Sequence, residues 1–222
     1  VPSAPTGVHD VIYDWNYACG EASAFTHPIA ILDETLRDGL QSPSVADPNI
    51  NDKIRLLHAM DEVGVGTADL GLPGAGSRAF MDVLDMVNEI ERGALKIEPA
   101  CAARTVEADV DAIREIAERT GRAVEVMAFV GSSPIRQFVE GWDLDRLRGW
   151  TEASIRRGVE AGLRVTFVTE DTSRSHPDTL EALFRVAIDA GAHRLCLCDT
   201  VGHATPDGTR ALVRLAREVI VR

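Results

Sequence analysis

Cysteine is scarce in this chain, with four residues in 222, at positions 19, 101, 196 and 198. Four cysteines at these spacings make no disulfide framework. Three of them lie in runs that read as strands, where cysteine behaves as a small hydrophobe. The N-terminus shows no charged segment followed by an apolar one, as a secretory signal would, and a reducing cytoplasm is the expected compartment. No apolar run approaches the roughly 20 residues that cross a bilayer. Cations are outnumbered, 23 Lys and Arg against 35 Asp and Glu, for a net charge of −12. That speaks against nucleic acid and anionic membranes as partners, since both need clustered positive charge. It leaves an anionic small molecule open, because a pocket can hold local positive charge on an acidic protein. No G-x-G-x-x-G follows the first strand, so the dinucleotide fingerprint is missing. The glycine-rich run Gly71-Leu72-Pro73-Gly74-Ala75-Gly76 follows the second strand and lacks the Lys-Ser/Thr of a phosphate loop.

What is present is a repeated alternation of short apolar runs and amphipathic stretches. Strands are expected at 29–34, 67–72, 96–102, 123–130, 164–169 and 194–198. Helices are expected at 50–63, 78–92, 106–120, 143–161, 177–190 and 207–221. Gly64, Gly93, Gly121, Gly162 and Gly191 fall where helices should stop. Six βα units in succession point to a parallel sheet with helices outside. From periodicity alone, an open doubly wound sheet and a barrel both fit. Residues 1–28 show no clear periodicity and read as an N-terminal extension. Both tyrosines of the chain, Tyr13 and Tyr17, flank Trp15 there, a cluster that either docks on a surface or belongs to a loose tail. Residues 29–222 form a single domain with no internal linker.

The chemistry-bearing residues gather after strands one, five and six, at the ends where α/β-barrel enzymes place them. After strand one, Asp33-Glu34-Thr35-Leu36-Arg37-Asp38-Gly39-Leu40-Gln41 sets a cation beside carboxylates and a glycine that permits a tight turn or close backbone approach. Such a cluster suits an oxyanion stabiliser next to a metal-binding carboxylate. It equally suits a surface loop with a capping Asp and an Arg37 paired to Asp33 or Glu34. On strand five, alternation puts Thr166, Val168 and Glu170 on one face, and Val165, Phe167 and Thr169 on the other. If the first set points inward, Glu170 stands at the barrel mouth, able to orient a water, steer a proton or hold Arg37. Alternation also puts Cys196, Cys198 and Thr200 on one face of strand six. Cys196-x-Cys198 is spaced to ligate a soft metal, although two cysteines in an apolar strand read first as core packing.

Asp33 to Gln41 resembles the D-x-T-L-R-D-G-x-Q signature of the DRE-TIM metallolyases. This family includes the isopropylmalate, homocitrate and citramalate synthases and HMG-CoA lyase. Val168-Thr169-Glu170-Asp171-Thr172-Ser173-Arg174 and Cys198-Asp199-Thr200-Val201-Gly202-His203-Ala204-Thr205-Pro206 match further blocks of the same family, in order. The resemblance covers Ile29 to the C-terminus. It implies a TIM (β/α)₈-type barrel, of which these residues supply about six βα units. It also implies a divalent metal (Mg²⁺, Mn²⁺ or Zn²⁺) held by Asp38, and a 2-oxo acid whose keto oxygen meets Arg37. Gln41 and Thr200 are expected on the substrate carboxylate, Ser133 (with its neighbour Ser132) near substrate, and Glu170 in acid–base work. The family's His-x-His pair on a seventh strand has no counterpart here. The histidines at 9, 27, 58, 176, 193 and 203 are isolated, and a barrel cut short is expected. His203 stands where many relatives carry Tyr, and Met127 where many synthases place a His. In isopropylmalate synthases the strand-five block reads more like F-S-P-E-D-A. In homocitrate synthases an Arg and a Ser precede the Glu where this chain has Thr166 and Val168, which counts against a second substrate carboxylate being read there.

The reaction implied is a Claisen-type condensation of acetyl-CoA, as co-substrate, with a 2-oxo acid. An HMG-CoA lyase-like retro-aldol cleavage is the alternative, favoured by Leu40 in Asp38-Gly39-Leu40-Gln41. A third reading is a non-catalytic relative serving assembly or regulation. A homodimer is expected of the complete protein, with no nucleic-acid or membrane partner.

Overall fold

The computed structural model describes residues 28–222, so the cluster around Trp15, together with His9, Cys19 and His27, lies outside the described residues. Ile31–Arg222 forms one compact unit. Its elements run β1 (Leu32–Asp33), α1 (Ile50–Val63), β2 (Thr67–Asp69), α2 (Ser77–Arg92), β3 (Glu98–Arg104), α3 (Glu107–Thr120), β4 (Glu125–Gly131), α4 (Pro134–Glu140), α5 (Leu144–Glu160), β5 (Val165–Glu170), α6 (Pro177–Asp189), β6 (Arg194–Leu197) and α7 (Pro206–Val221). All neighbouring strands are parallel, and the order across the sheet is β1-β2-β3-β4-β5-β6, with no switch point. Consecutive order with helical crossovers is that of a barrel segment, not a doubly wound sheet. The structure is a half-barrel of six βα units.

Two apolar layers follow from strand alternation. Outward-facing Cys101, Val126, Ala128, Val165 and Phe167 join helix residues such as Leu57, Ile90, Ile113, Ile155, Leu180 and Phe184 in the main core. Each large side chain buried there contributes about 1.5–3 kcal/mol. The α5 helix can approach β5 because residue 158 is glycine; a Cβ there would lie 2.6 Å from Val165 Cγ2. The inward faces carry a smaller cluster, Ala100, Met127 and Val168, packed by Leu32, Phe129, Cys196 and Cys198. It forms the floor beneath the strands' C-terminal ends.

The expected helices lie within a residue of those observed, but other expectations need correction. The first strand is not 29–34: only Leu32 and Asp33 enter the ladder, against Thr67 and Ala68. Strand two runs only to Asp69, whose carboxylate accepts the Gly71 N–H, while the Leu70 N–H and the Gly71 carbonyl still bond to Ala100 and Ala102 of β3. Gly93 ends α2 as expected, with the positive φ falling on the next residue, Ala94, at 49°. The α4 helix was not expected at all. It has seven residues, opens on Pro134 and leaves Ile135, Phe138 and Val139 exposed, so it shows no buried periodic face. Among the described residues no helix is long and apolar enough to cross a membrane.

Candidate active site

The turn after β1 is built by its own backbone. Asp33 Oδ1 accepts the Thr35 N–H at 2.8 Å, and Glu34 O accepts the N–H groups of Arg37 and Gly39. Asp33 therefore caps the turn and is not an ion-pair partner of Arg37. Residue 39 does not require glycine here, since its φ is not left-handed and a Cβ would meet only ordinary contacts, the nearest at 3.8 Å. Leu36 is buried and anchors the turn on the core.

Arg37 emerges from this turn with its side chain 17% exposed and its guanidinium 5.4 Å from the Phe129 ring centroid. Nη1 donates to Asp38 Oδ1 at 2.9 Å. Nε lies 3.6 Å from Glu34 Oε2 and also 3.6 Å from Asp69 Oδ2, too far for hydrogen bonds. All three of these atoms are buried and unpartnered. Buried polar atoms are nearly always hydrogen-bonded, so three orphans in one cluster mark the place as unusual. The expected Glu34 pairing is present. The pairing with Asp69 was not foreseen, although a carboxylate on the inward side of an apolar strand, ahead of a glycine, was the available signal.

Asp69 is fully buried, and its Oδ1 accepts the Gly71 and Ala102 N–H groups at 3.1 Å each. Burial, and then the charge on Glu34, push its carboxyl up to about 8, against the pull of Arg37. Burial also raises Glu34, with Arg37 opposing. The group therefore holds one permanent cation beside a fully buried carboxyl, Asp69, inclined to keep a proton. Asp38, by contrast, is 69% exposed. Arg37 and Gln41 line a cleft of about 480 Å³, shared with Lys53, Arg78 and the glycine-rich loop after β2. Both of those cations are engaged, Lys53 by Asp47 and Asp82 and Arg78 by Asp47.

The ends of β5 and β6 hold the second group. Glu170, last residue of β5, is half-buried; its carbonyl accepts from Ser132 N and Oγ. Glu170 lines a recess of about 210 Å³ with Ser133, Asp171 and Arg174, and the anions paired to Arg37 are instead Glu34, Asp38 and Asp69. Ser133 is buried with its hydroxyl unbonded; it favours the Asp171 carboxylate without reaching hydrogen-bond geometry. Asp171 is left-handed, with φ 60°, a conformation costly for a side chain other than glycine. Arg174 holds it through Nε at 2.8 Å and Nη2 at 2.6 Å, keeping its carboxyl below the usual range. Thr200 is exposed and its Oγ1 accepts the Asp171 N–H at 2.9 Å, which leaves its own O–H free to donate. Asp199 does structural work: Ser173 Oγ donates to it, and so do the N–H groups of His203 and Ala204, fixing the turn that carries Thr200.

The structure thus brings Arg37 together with Asp38, Gln41 and Asp69, and Glu170 with Ser133, all at the C-terminal ends of strands. Among the described residues no group of three His, Cys, Asp or Glu side chains is placed to hold a metal ion. Asp38 alone, bonded to Arg37, does not make a divalent centre.

Residues 28–221 match a family described as HMGL-like. The 2-isopropylmalate synthase of Nitratidesulfovibrio vulgaris is 34% identical over 191 residues, covering 86% of this chain and 36% of that protein. A putative (R)-citramalate synthase of Methanopyrus kandleri is 31% identical over 201 residues, covering 89% and 38%. The chain spans little more than a third of the length of these relatives. Among solved structures, the HMG-CoA lyase of Bacillus subtilis superposes with a TM-score of 0.68 at 17% identity, covering 86% of this chain and 64% of that one. At that identity the likeness speaks for the fold alone.

Proposed function

We propose that this chain, which belongs to the HMGL-like family, is part of an acyltransferase that joins the acetyl group of acetyl-CoA to the ketone carbon of a 2-oxo acid. The observation that carries the reading is Arg37. It is a largely buried guanidinium at the end of β1, above an apolar floor, with one N–H lacking a hydrogen-bond partner. Such a donor is preorganised for an oxygen that gains charge as a ketone becomes an alkoxide. Gln41 and the Thr200 hydroxyl supply donors for the substrate carboxylate. Glu170, an unpaired carboxylate at the mouth, is suited to move the methyl proton of acetyl-CoA. Carbon–carbon bond formation leaves the alkoxide at Arg37, and thioester hydrolysis consumes one water and releases CoA and a 2-hydroxy diacid. Since Asp38 is a lone donor, the chemistry assigned to this chain rests on Arg37 and its neighbours. Any divalent ion needs further ligands from outside the described residues.

The substrate class follows from the floor. Leu32, Met127, Phe129 and Val168 offer apolar surface. The cations around the strands' C-terminal ends are paired: Arg104 with Asp109, Arg136 with Glu140 and Arg174 with Asp171. A second substrate carboxylate would be buried there without a partner, at several kcal/mol, so an aliphatic 2-oxo acid is favoured. The test is CoA release by the complete protein with acetyl-CoA and, in turn, pyruvate, 2-oxoisovalerate, 2-oxoglutarate and oxaloacetate. The expected result is turnover with one of the first two, exceeding either diacid by about tenfold or more. Cleavage of HMG-CoA with no condensation of any 2-oxo acid would overturn the reading.

A further inference from the structure

The reaction proposed above makes no use of two thiols on the inward face of β6. Cys196 and Cys198 are both half-buried rather than sealed in the core, and their Sγ atoms are 4.0 Å apart. Cys101 differs: it is fully buried on the outward face. The backbone beneath the pair is fixed. Cys196 sits in register with Val168, and its carbonyl accepts from Thr169 Oγ1. Cys198 is held from both sides by Thr172, donating its N–H to Thr172 Oγ1 at 2.8 Å and accepting the Thr172 N–H at 3.0 Å. Two thiols spaced i, i+2 on a strand point the same way, and here they point over the floor toward the Arg37 side of the half-barrel.

We propose that Cys196 and Cys198 form a two-thiolate site for a single soft, thiophilic cation of the Cu(I) or Zn(II) type. Soft sulfur donors select such ions. With metal–sulfur bonds of about 2.3 Å, tetrahedral ligation needs the two sulfurs about 3.8 Å apart, close to the spacing already present. A disulfide fits less well. Two extended residues advance about 6.6 Å, at the upper end of the roughly 4.4–6.8 Å a disulfide spans between Cα atoms, and the ladder and Thr172 bonds oppose the contraction. The contact between the two sulfurs lowers one thiol's pKa at the other's expense, so a single proton is the first to leave the pair. Binding displaces the thiol protons to solvent and leaves a metal–dithiolate, with the remaining coordination positions open to water. The site does not depend on which reaction the barrel performs.

Cadmium is a suitable probe, because thiolate-to-cadmium charge transfer absorbs in the near ultraviolet. Cd²⁺ is titrated into the reduced protein carrying Cys19→Ser, and into that protein with Cys101→Ser, Cys196→Ser or Cys198→Ser added. One equivalent should give the band in the first two, and either of the last two changes should abolish it. Mass spectrometry of alkylated peptides should show Cd²⁺ protecting Cys196 and Cys198 together, a readout that survives if a serine variant folds poorly. A band that persists after either of those two changes, no protection of the pair, or rapid closure to a disulfide under mild oxidation in place of cadmium binding would each overturn the assignment.

Discussion

Replacing Asp69 with Asn asks whether the buried carboxyl beside Arg37 keeps its proton at neutral pH. The amide has nearly the shape of a protonated carboxyl, and its oxygen can still accept the Gly71 and Ala102 N–H groups that Asp69 Oδ1 accepts at 3.1 Å. Burial, followed by the charge on Glu34, raises the native carboxyl from 3.8 to about 8. A carboxyl whose folded pKa exceeds its unfolded one keeps a proton in the folded state that the unfolded chain has released. The associated stability is complete below the unfolded value and is lost as pH rises, until ionisation of the folded form is complete above about 8. At about 1.4 kcal/mol per pH unit the whole loss is at most about 6 kcal/mol, and Glu34 shares part of it. Between pH 6 and pH 9 the wild type crosses the last two units or so of that range, which corresponds to about 3 kcal/mol. Asn has nothing to titrate. In urea unfolding at the two pH values, the stability difference between Asp69→Asn and wild type should therefore shift by about 3 kcal/mol in favour of the variant at pH 9. A difference that stays constant, or moves the other way, would mean that Asp69 is already ionised against Arg37 at pH 6 and would refute the reasoning.

Arg37→Lys in the complete enzyme should lower kcat by about 10²–10³ with little change in KM for the 2-oxo acid, because the planar fork is lost while the charge stays. Near-normal turnover with a reduced melting temperature would instead assign Arg37 a structural role in its acidic cluster. Asp38→Ala in the complete enzyme should abolish divalent-dependent activity yet change unfolding free energy by no more than about 0.5 kcal/mol, since the residue is largely exposed. Calorimetry with Mg²⁺, Mn²⁺ and Zn²⁺ on this 222-residue chain should show weak or no binding at Asp38; tight stoichiometric binding that depends on Asp38 would contradict it.

The parts of this structure that could be read from residues alone are those governed by period. Helices with a buried stripe, such as Ile50–Val63, and strands with inward-outward alternation, such as Val165–Glu170, declare themselves because each turn or pair repeats the signal. The α4 helix escaped because about two turns with no buried residue repeat nothing. Strand ends escaped for another reason. Leu32–Asp33 ends where Asp33 Oδ1 captures the Thr35 N–H, and Thr67–Asp69 ends where Asp69 Oδ1 captures the Gly71 N–H, and neither event is periodic. The site divides in the same way. Arg37, Asp38, Gln41, Glu170 and Thr200 are proposed because they stand in contiguous motifs. Asp69 belongs to none, and its importance comes from the absence of water and from Glu34 and Arg37, which meet it only in the folded chain.

That meeting bears directly on whether Arg37 can serve an anion at all. Counted as formal charges, the guanidinium faces Glu34, Asp38 and Asp69, and a substrate oxygen gaining negative charge would enter a field already more than neutralised. Two features relieve this. Burial, and then the charge on Glu34, push the Asp69 carboxyl up to about 8, so the most buried of the three tends toward its neutral form. The 3.6 Å separations to Nε also leave that N–H electrostatically attracted but not hydrogen-bonded. The remaining close partner, Asp38, is exposed, and an exposed ion pair contributes only about 0–1 kcal/mol, so it can be exchanged for another ligand at little cost. The same burial that makes the cluster costly to ionise therefore keeps Arg37 available. Solvent reaching the fully buried Asp69 would favour its charged form and close that availability, so the burial of this one carboxyl has a chemical role.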